Sequence, residues 1–364
     1  MNVQQVIELL EELSPLNYAE DFDNVGLLVG DKHQEVSGVL VTLDTLENVI
    51  DEAVAKKCNL IISFHPIIFS GLKKLTGNSY VERVVIKAIQ HQIAIFSMHT
   101  ALDNSFEGVN AKICSVLGLK NRKVLIPQER TIKKLVTYVP EANATPLREA
   151  LFKAGAGNIG NYSNCSFSIG GMGTFKGNEE TNPVIGEKGV AHQEKEVQIG
   201  VTFARHLKSS ILKALFESHP YEEVAYEITT LENINQHLGM GMVGELSEKM
   251  DEQTFLKHLK KCMHTSCIRH SEFTGKKIEK VAVLGGSGAF AIEAAKRSGA
   301  QVFVTSDVKY HEFYKAENVL MIADIGHYET EQFTKNLLVE FLKEKIHNFA
   351  IILSDSITNP IKYF

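Results

Sequence analysis

Apolar residues recur at helical spacing in VQQVIELLEEL, ENVIDEAVAKK and YVERVVIKAIQ, the period of about 3.6 residues of helices that bury one stripe. Between them GVLVTLD, NLIISFHP and IAIFSMHT are short apolar runs that read as buried strands. This alternation predicts an α/β half over residues 1–129, with a mostly parallel sheet covered on both faces. The same rhythm returns over 237–364: EQTFLKHLKKCM is helical, KVAVLGGSGAF is a strand entering a glycine turn, and QVFVTSD, VLMIADIG and AIILSD are further strands. Residues 130–236 differ. There TIKKLVTYVP, ATPLREALFKAG, a glycine-rich stretch, VQIGVTFARHL, LKSSILKALFESHP and EEVAYEITTLE follow the order β-α-β-β-α-β, that of an inserted ferredoxin-like α+β domain.

A chain of 364 residues is long enough for two or three domains. Its 44 acids against 38 bases, a net charge of −6, come with no long basic run, which disfavours nucleic acid as a partner. No apolar window is long enough to span a membrane, and the N-terminus lacks the basic start of a secretory signal. Five scattered cysteines, an odd number, fit a reducing cytoplasm without structural disulfides.

In open α/β sheets ligands gather at the carboxyl ends of strands. The predicted strands end at Asp44, His65, His99 with Asp103, Ser287, Asp307 with His311, and His327 with Glu331. Such an accumulation of imidazole and carboxylate points to a metal site. On a helix starting near Gly326, His327 and Glu331 share one face and can converge on one cation. That donor set suits zinc, manganese or iron. Taken singly, each histidine also has a plain structural reading at a strand or helix end, and His327 with Glu331 can be an ordinary i,i+4 surface pair.

Two other features compete. KHLKKCMHTSCIRH gathers His258, Cys262, His264, Cys267 and His270, but at spacings that match no standard zinc finger. GGSGAFA follows a strand, with Asp307 about 20 residues on, which is the outline of a dinucleotide fingerprint. Alternatively, Gly285, Gly286 and Gly288 simply let a strand turn tightly beside the site. In the insert, Gly170, Gly171 and Gly173 read as a flexible hairpin more readily than as a phosphate cradle.

The segments EDFDNVGLLVGD, SFHPIIF, HTALD, AVLGGSGA, TSDVKYHE, GHYETEQ and NPIKYF occur in an order that resembles the Nif-three-like proteins, the GTP cyclohydrolase 1 type 2 homologues, in their longer form with a CutA/PII-like insert. The resemblance covers essentially the whole chain. It implies two divalent cations per subunit, zinc foremost with iron or manganese as alternatives, held by His65 and Asp103 from one half and by His327 and Glu331 from the other. Glu331 would bridge the ions. His99 and His311 would stand close by as orienters or proton carriers in catalysis. The resemblance also implies a toroidal homohexamer, a trimer of dimers. Phe64 departs from the pattern where many members carry a second histidine, so the second ion would have fewer side chains.

The expected function is metal-assisted hydrolysis of an unidentified small molecule, by a water made acidic between two cations. The alternative is a non-enzymatic metal-binding or regulatory assembly whose insert senses a ligand or partner.

Overall fold

The structure, a computed structural model, describes residues 1–364. It divides into two compact units, Met1–Pro127 with Gln236–Phe364, and Gln128–Asn235.

The larger unit contains two mixed sheets. In the first, Gly38–Thr42, Leu60–Ser63 and Ala94–Ser97 run parallel, and Gly26–Val29 closes one edge antiparallel. The other edge is Ala350–Leu353, parallel to Gly38–Thr42. The run AIILSD therefore leaves the second half of the chain to complete the sheet of the first. In the second sheet Ile278–Ser287, Val302–Ser306 and Met321–Asp324 are parallel. Antiparallel edges come from Arg269–His270 on one side and from Asn235–Met250, followed outward by Lys120–Gln128, on the other. Lys120–Gln128 comes from the first half. Each half thus lends the other a strand, and neither sheet is complete alone.

The strands are apolar on both faces because both are covered. One continuous core joins Val39, Val41, Ile62 and Phe96 of the first sheet to Val281, Val283, Val302 and Ala323 of the second. Helices Val3–Leu13, Val109–Leu117, Glu252–Cys262 and Thr334–Lys345 contribute buried residues to that layer. The outer face of the first sheet packs Leu40 and Ile61 on helices Glu47–Ala55 and Tyr80–Gln90. The outer face of the second buries Phe303 and Ile322 with Ile292 and Ala295. No helix is long and apolar enough to cross a membrane.

The smaller unit orders its strands Phe167–Phe175, His192–Ala204, Ile132–Pro140, Tyr226–Leu231, all antiparallel. Helices Ala144–Lys153 and Lys208–Ser218 complete the β-α-β-β-α-β order, which is ferredoxin-like. They bury Leu147, Leu151, Ile211 and Leu215 against Leu135, Ile199 and Val201 of the sheet. Gly170, Gly171 and Gly173 are ordinary strand residues paired with Val197, Glu196 and Glu194.

Candidate metal centre

Strand ends and the turns after them bring the titratable groups together. After Leu60–Ser63 the chain buries the Phe64 ring and turns. The turn is held by His65 N–H donating to the Leu43 carbonyl (2.9 Å) and by the Ser63 hydroxyl donating to the His65 carbonyl (2.7 Å). His327 and Glu331 start and end the short helix His327–Glu331, whose face carries both inward. The Nε2 atoms of His65 and His327 lie 3.1 and 3.2 Å from the same Glu331 Oε2. Yet that oxygen is buried and makes no hydrogen bond of good geometry. These three residues form a group able to hold a metal ion.

The far nitrogens explain the orientation. His65 Nδ1 meets Asp44 Oδ1 at 2.8 Å, His327 Nδ1 meets Asp307 Oδ2 at 2.7 Å, and His99 Nδ1 meets Asp23 Oδ1 at 2.8 Å. A carboxylate on Nδ1 keeps the proton there and turns the Nε2 lone pair toward the centre, the usual support of a metal-bound imidazole. A hydroxyl completes each pair: Ser287 on Asp307, Thr100 on Asp23, Thr358 on Asp44. His99 and Asp307 themselves sit at φ +28° and +56°, backbone strain of the kind that collects at functional sites.

The electrostatics follow from burial among acids. Burial opposes charge on His65 and His327, but Asp44 and Glu331 hold the first up at about 10, and Glu331 with Asp307 holds the second at about 9. Burial likewise opposes the Glu331 carboxylate, and the two imidazoles overcome it, holding it at about 2. Asp103 moves the other way, raised well above the usual range by burial and then by the charge of Glu331. Its Oδ1 is buried without a hydrogen bond. The pocket therefore buries two carboxyl oxygens, Glu331 Oε2 and Asp103 Oδ1, that no protein donor satisfies, and the donor set fits a divalent cation.

Asp103 stands outside the group of three but lines a cavity of about 270 Å³ with His99, Thr100, Gly286, His327 and Glu331. His311 is not brought to the centre. It is exposed on the turn Tyr310–Ala316, its ring beside those of Tyr310 and Tyr314 at 5.1 and 6.3 Å. Phe64 is part of the core and meets the His99 ring edge-on at 5.6 Å.

The glycine turn is a wall of this site. Gly285 N–H donates to Asn110 Oδ1 (3.0 Å) and Gly286 N–H to Thr330 Oγ1 (2.9 Å), so the amides that would cradle a pyrophosphate are taken. Gly286, at φ +71°, is required because a Cβ there would stand 2.5 Å from Glu331 Oε1. The histidine–cysteine segment does not converge on one point: His258 meets the Leu117 carbonyl and Cys262 Sγ, while His264 packs on Phe333, His270 stacks on Phe273 and Cys267 is exposed.

The family model for Duf34/NIF3 (NGG1p interacting factor 3) matches residues 1–360. The chain belongs to this family. It is 38% identical over 368 residues to a GTP cyclohydrolase 1 type 2 homolog of Bacillus subtilis, covering all of this chain and 99% of that one. It is 39% identical to a protein of the same name from Halalkalibacterium halodurans, with the same coverage. Among solved structures it is similar to a Bacillus cereus protein related to NIF3, with a TM-score of 0.85, 37% identity and coverage of 100% and 99% of the two chains. A Staphylococcus aureus protein follows with a TM-score of 0.78 and 32% identity at the same coverage.

Sequence reasoning singled out His65, His327 and Glu331, but gave Asp23, Asp44 and Asp307 no role as imidazole partners. Asp44 and Asp307 were visible as strand ends, and Asp307 carried a competing reading as the acid of a dinucleotide fingerprint. Asp23 lies 76 residues from His99, and nothing local joins them.

Proposed function

We propose that this NIF3-family protein is a divalent-metal protein with two cations per subunit, acting as a hydrolase on a small molecule. The observation that carries the reading is the convergence of two carboxylate-anchored imidazoles on a buried Glu331 oxygen that makes no hydrogen bond. His65, His327 and Glu331 would hold one ion, and Asp103 a second beside it, with Glu331 shared. Bound there, divalent cations supply Lewis acidity, polarising a substrate oxygen and making water acidic enough to react near neutral pH.

The chain's own groups do the rest. Asp44, Asp307 and Asp23 keep the three imidazoles in the Nδ1–H form. His99, with Nδ1 committed to Asp23, retains Nε2 on the cavity wall to take or return a proton. Phe22, Met240, Leu284 and Phe290 make the apolar side of that cavity and exclude water from the substrate's non-reacting part. The name borne by the relatives, GTP cyclohydrolase 1 type 2 homolog, makes purine nucleotides the first substrates to screen. Phosphoesters come second, since their hydrolysis needs the same parts.

The test is elemental analysis of protein purified without chelator. About two divalent ions per chain support the reading, and His327→Ala or Glu331→Ala retaining full metal content refutes it. The second reading, a metal-binding regulator, is favoured by the separately folded 128–235 unit, which has its own cleft of about 300 Å³ between Phe175, Ile185, Tyr221 and Glu196. Metal content without turnover on either substrate class would support it.

A further inference from the structure

Each imidazole–carboxylate pair at the centre is completed by one hydroxyl. For His327–Asp307 it is Ser287, from the neighbouring strand end, and for His99–Asp23 it is Thr100, the next residue along the helix. For His65–Asp44 it is Thr358, 314 positions from Asp44 in the sequence, which donates to Asp44 Oδ2 at 2.6 Å while Asp44 Oδ1 meets His65 Nδ1 at 2.8 Å. Thr358 is buried. It belongs to the irregular stretch that follows the last strand, and that stretch is fastened on both sides. Upstream, the Glu52 carboxylate accepts from the Ser354 hydroxyl (2.6 Å), Asp355 N–H (2.8 Å), Ser356 N–H (3.1 Å) and the Ser356 hydroxyl (2.7 Å). Downstream, Asn359 Nδ2 donates to Glu329 Oε1 at 3.2 Å, on the helix that carries His327 and Glu331.

We propose that Thr358 is a positioning residue for the metal centre, and that the C-terminal segment is the strap that delivers it. The strap runs from Glu52 on the first half to Glu329 on the second and sets the Asp44 carboxylate, which sets His65. Without the hydroxyl, Asp44 loses the contact that fixes its rotamer, and the His65 ring loses its register toward Glu331. Partners of this kind affect metal affinity by about 10–100-fold although they never touch the ion. The affinity consequence rests on the proposed metal site. The orientation of His65 does not.

The experiment compares wild type, Thr358→Val, which keeps the shape and removes the hydroxyl, and Thr358→Ser, which restores it. Two readouts are taken on the full chain. Zinc affinity is measured by competition with a chromophoric chelator. In metal-stripped, histidine-labelled protein, the His65 Nδ1–H signal is followed by NMR, identified by its loss in His65→Gln. The expected result is zinc binding about 10-fold weaker in Thr358→Val with an exchange-broadened Nδ1–H, and near wild-type behaviour in Thr358→Ser. Unchanged affinity with a sharp Nδ1–H in Thr358→Val overturns the proposal, as does a serine variant no better than valine. If the wild type itself takes up no zinc, the metal reading fails. The Nδ1–H signal then still decides: its loss in Thr358→Val supports the strap, and its persistence overturns it.

Discussion

Gly286→Ala tests the centre without removing any ligand. The substitution acts twice. At φ +71° an L-residue costs about 1–2 kcal/mol of backbone strain. The new Cβ would also stand 2.5 Å from Glu331 Oε1, where ordinary contact begins at 3.4 Å, a shortfall of 3.4 − 2.5 = 0.9 Å. Glu331 is buried, and a close-packed wall absorbs little of such a shift. The carboxylate must therefore retreat from the point where His65 and His327 converge. If Glu331 holds metal as proposed, a displacement of that size should weaken zinc binding by about 10–100-fold, or about 1.4–2.7 kcal/mol. The control is Gly299→Ala, at φ +76° with only the Lys280 ammonium at 4.0 Å: it pays the same backbone cost but touches nothing at the site. Chelator competition on both variants, with urea unfolding alongside, separates strain from displacement. If Gly286→Ala remains folded and binds zinc like wild type, the assignment of Glu331 as a ligand is wrong.

Other outcomes follow from the same geometry. With His65 and His327 held up at about 10 and about 9, both are protonated in the metal-free protein at neutral pH. Zinc must displace these protons, so its affinity should rise with pH through 9, and calorimetry in buffers of different ionisation enthalpy should register proton release. Glu52, held at about 2 chiefly by the Lys56 ammonium and the Ser354 and Ser356 hydroxyls against the cost of burial, stabilises the fold above its unfolded value near 4.5. That contribution is lost as pH falls toward 2. Glu52→Gln should cost about 1–3 kcal/mol at pH 7 in denaturant titration and little at pH 2. Leu215→Ala, in the core of the 128–235 unit, should destabilise that unit by about 2–5 kcal/mol while metal content by elemental analysis stays unchanged. Calorimetric titration with NAD or NADP should be blank, because the Gly285 and Gly286 amides are already bonded to Asn110 and Thr330.

Most elements were legible because their signal is local, though the edge strands Gly26–Val29 and Lys120–Gln128 and the long Asn235–Met250 escaped it. A period near 3.6 in VQQVIELLEEL and apolar runs such as NLIISFHP report burial residue by residue, and the β-α-β-β-α-β order of the middle segment reappears strand for strand. The centre was partly legible for the same reason: His327 and Glu331 need only one helical turn to meet, and His65 only a strand end. His311 misled because strand-end position alone does not say which way a turn carries its side chain. After Asp307 the chain coils into Tyr310–Ala316 and presents His311 to solvent among tyrosines.

What the sequence alone determined, then, is most of the strands and helices, the family, and a set of residues suited to holding a metal; the strands Gly26–Val29, Lys120–Gln128 and Asn235–Met250 were not among its readings. Only the tertiary structure decided which strands share a sheet. Ala350–Leu353 reads like any buried strand, but it joined the open edge of Gly38–Thr42, since hydrophobic pattern specifies that a strand is covered and not beside which neighbour it lies. That choice carries the C-terminal stretch across the centre and brings Thr358 to Asp44 over 314 residues. The hydroxyls and carboxylates that aim the imidazoles were settled in the same way, because such contacts depend on positions in space that no local period records.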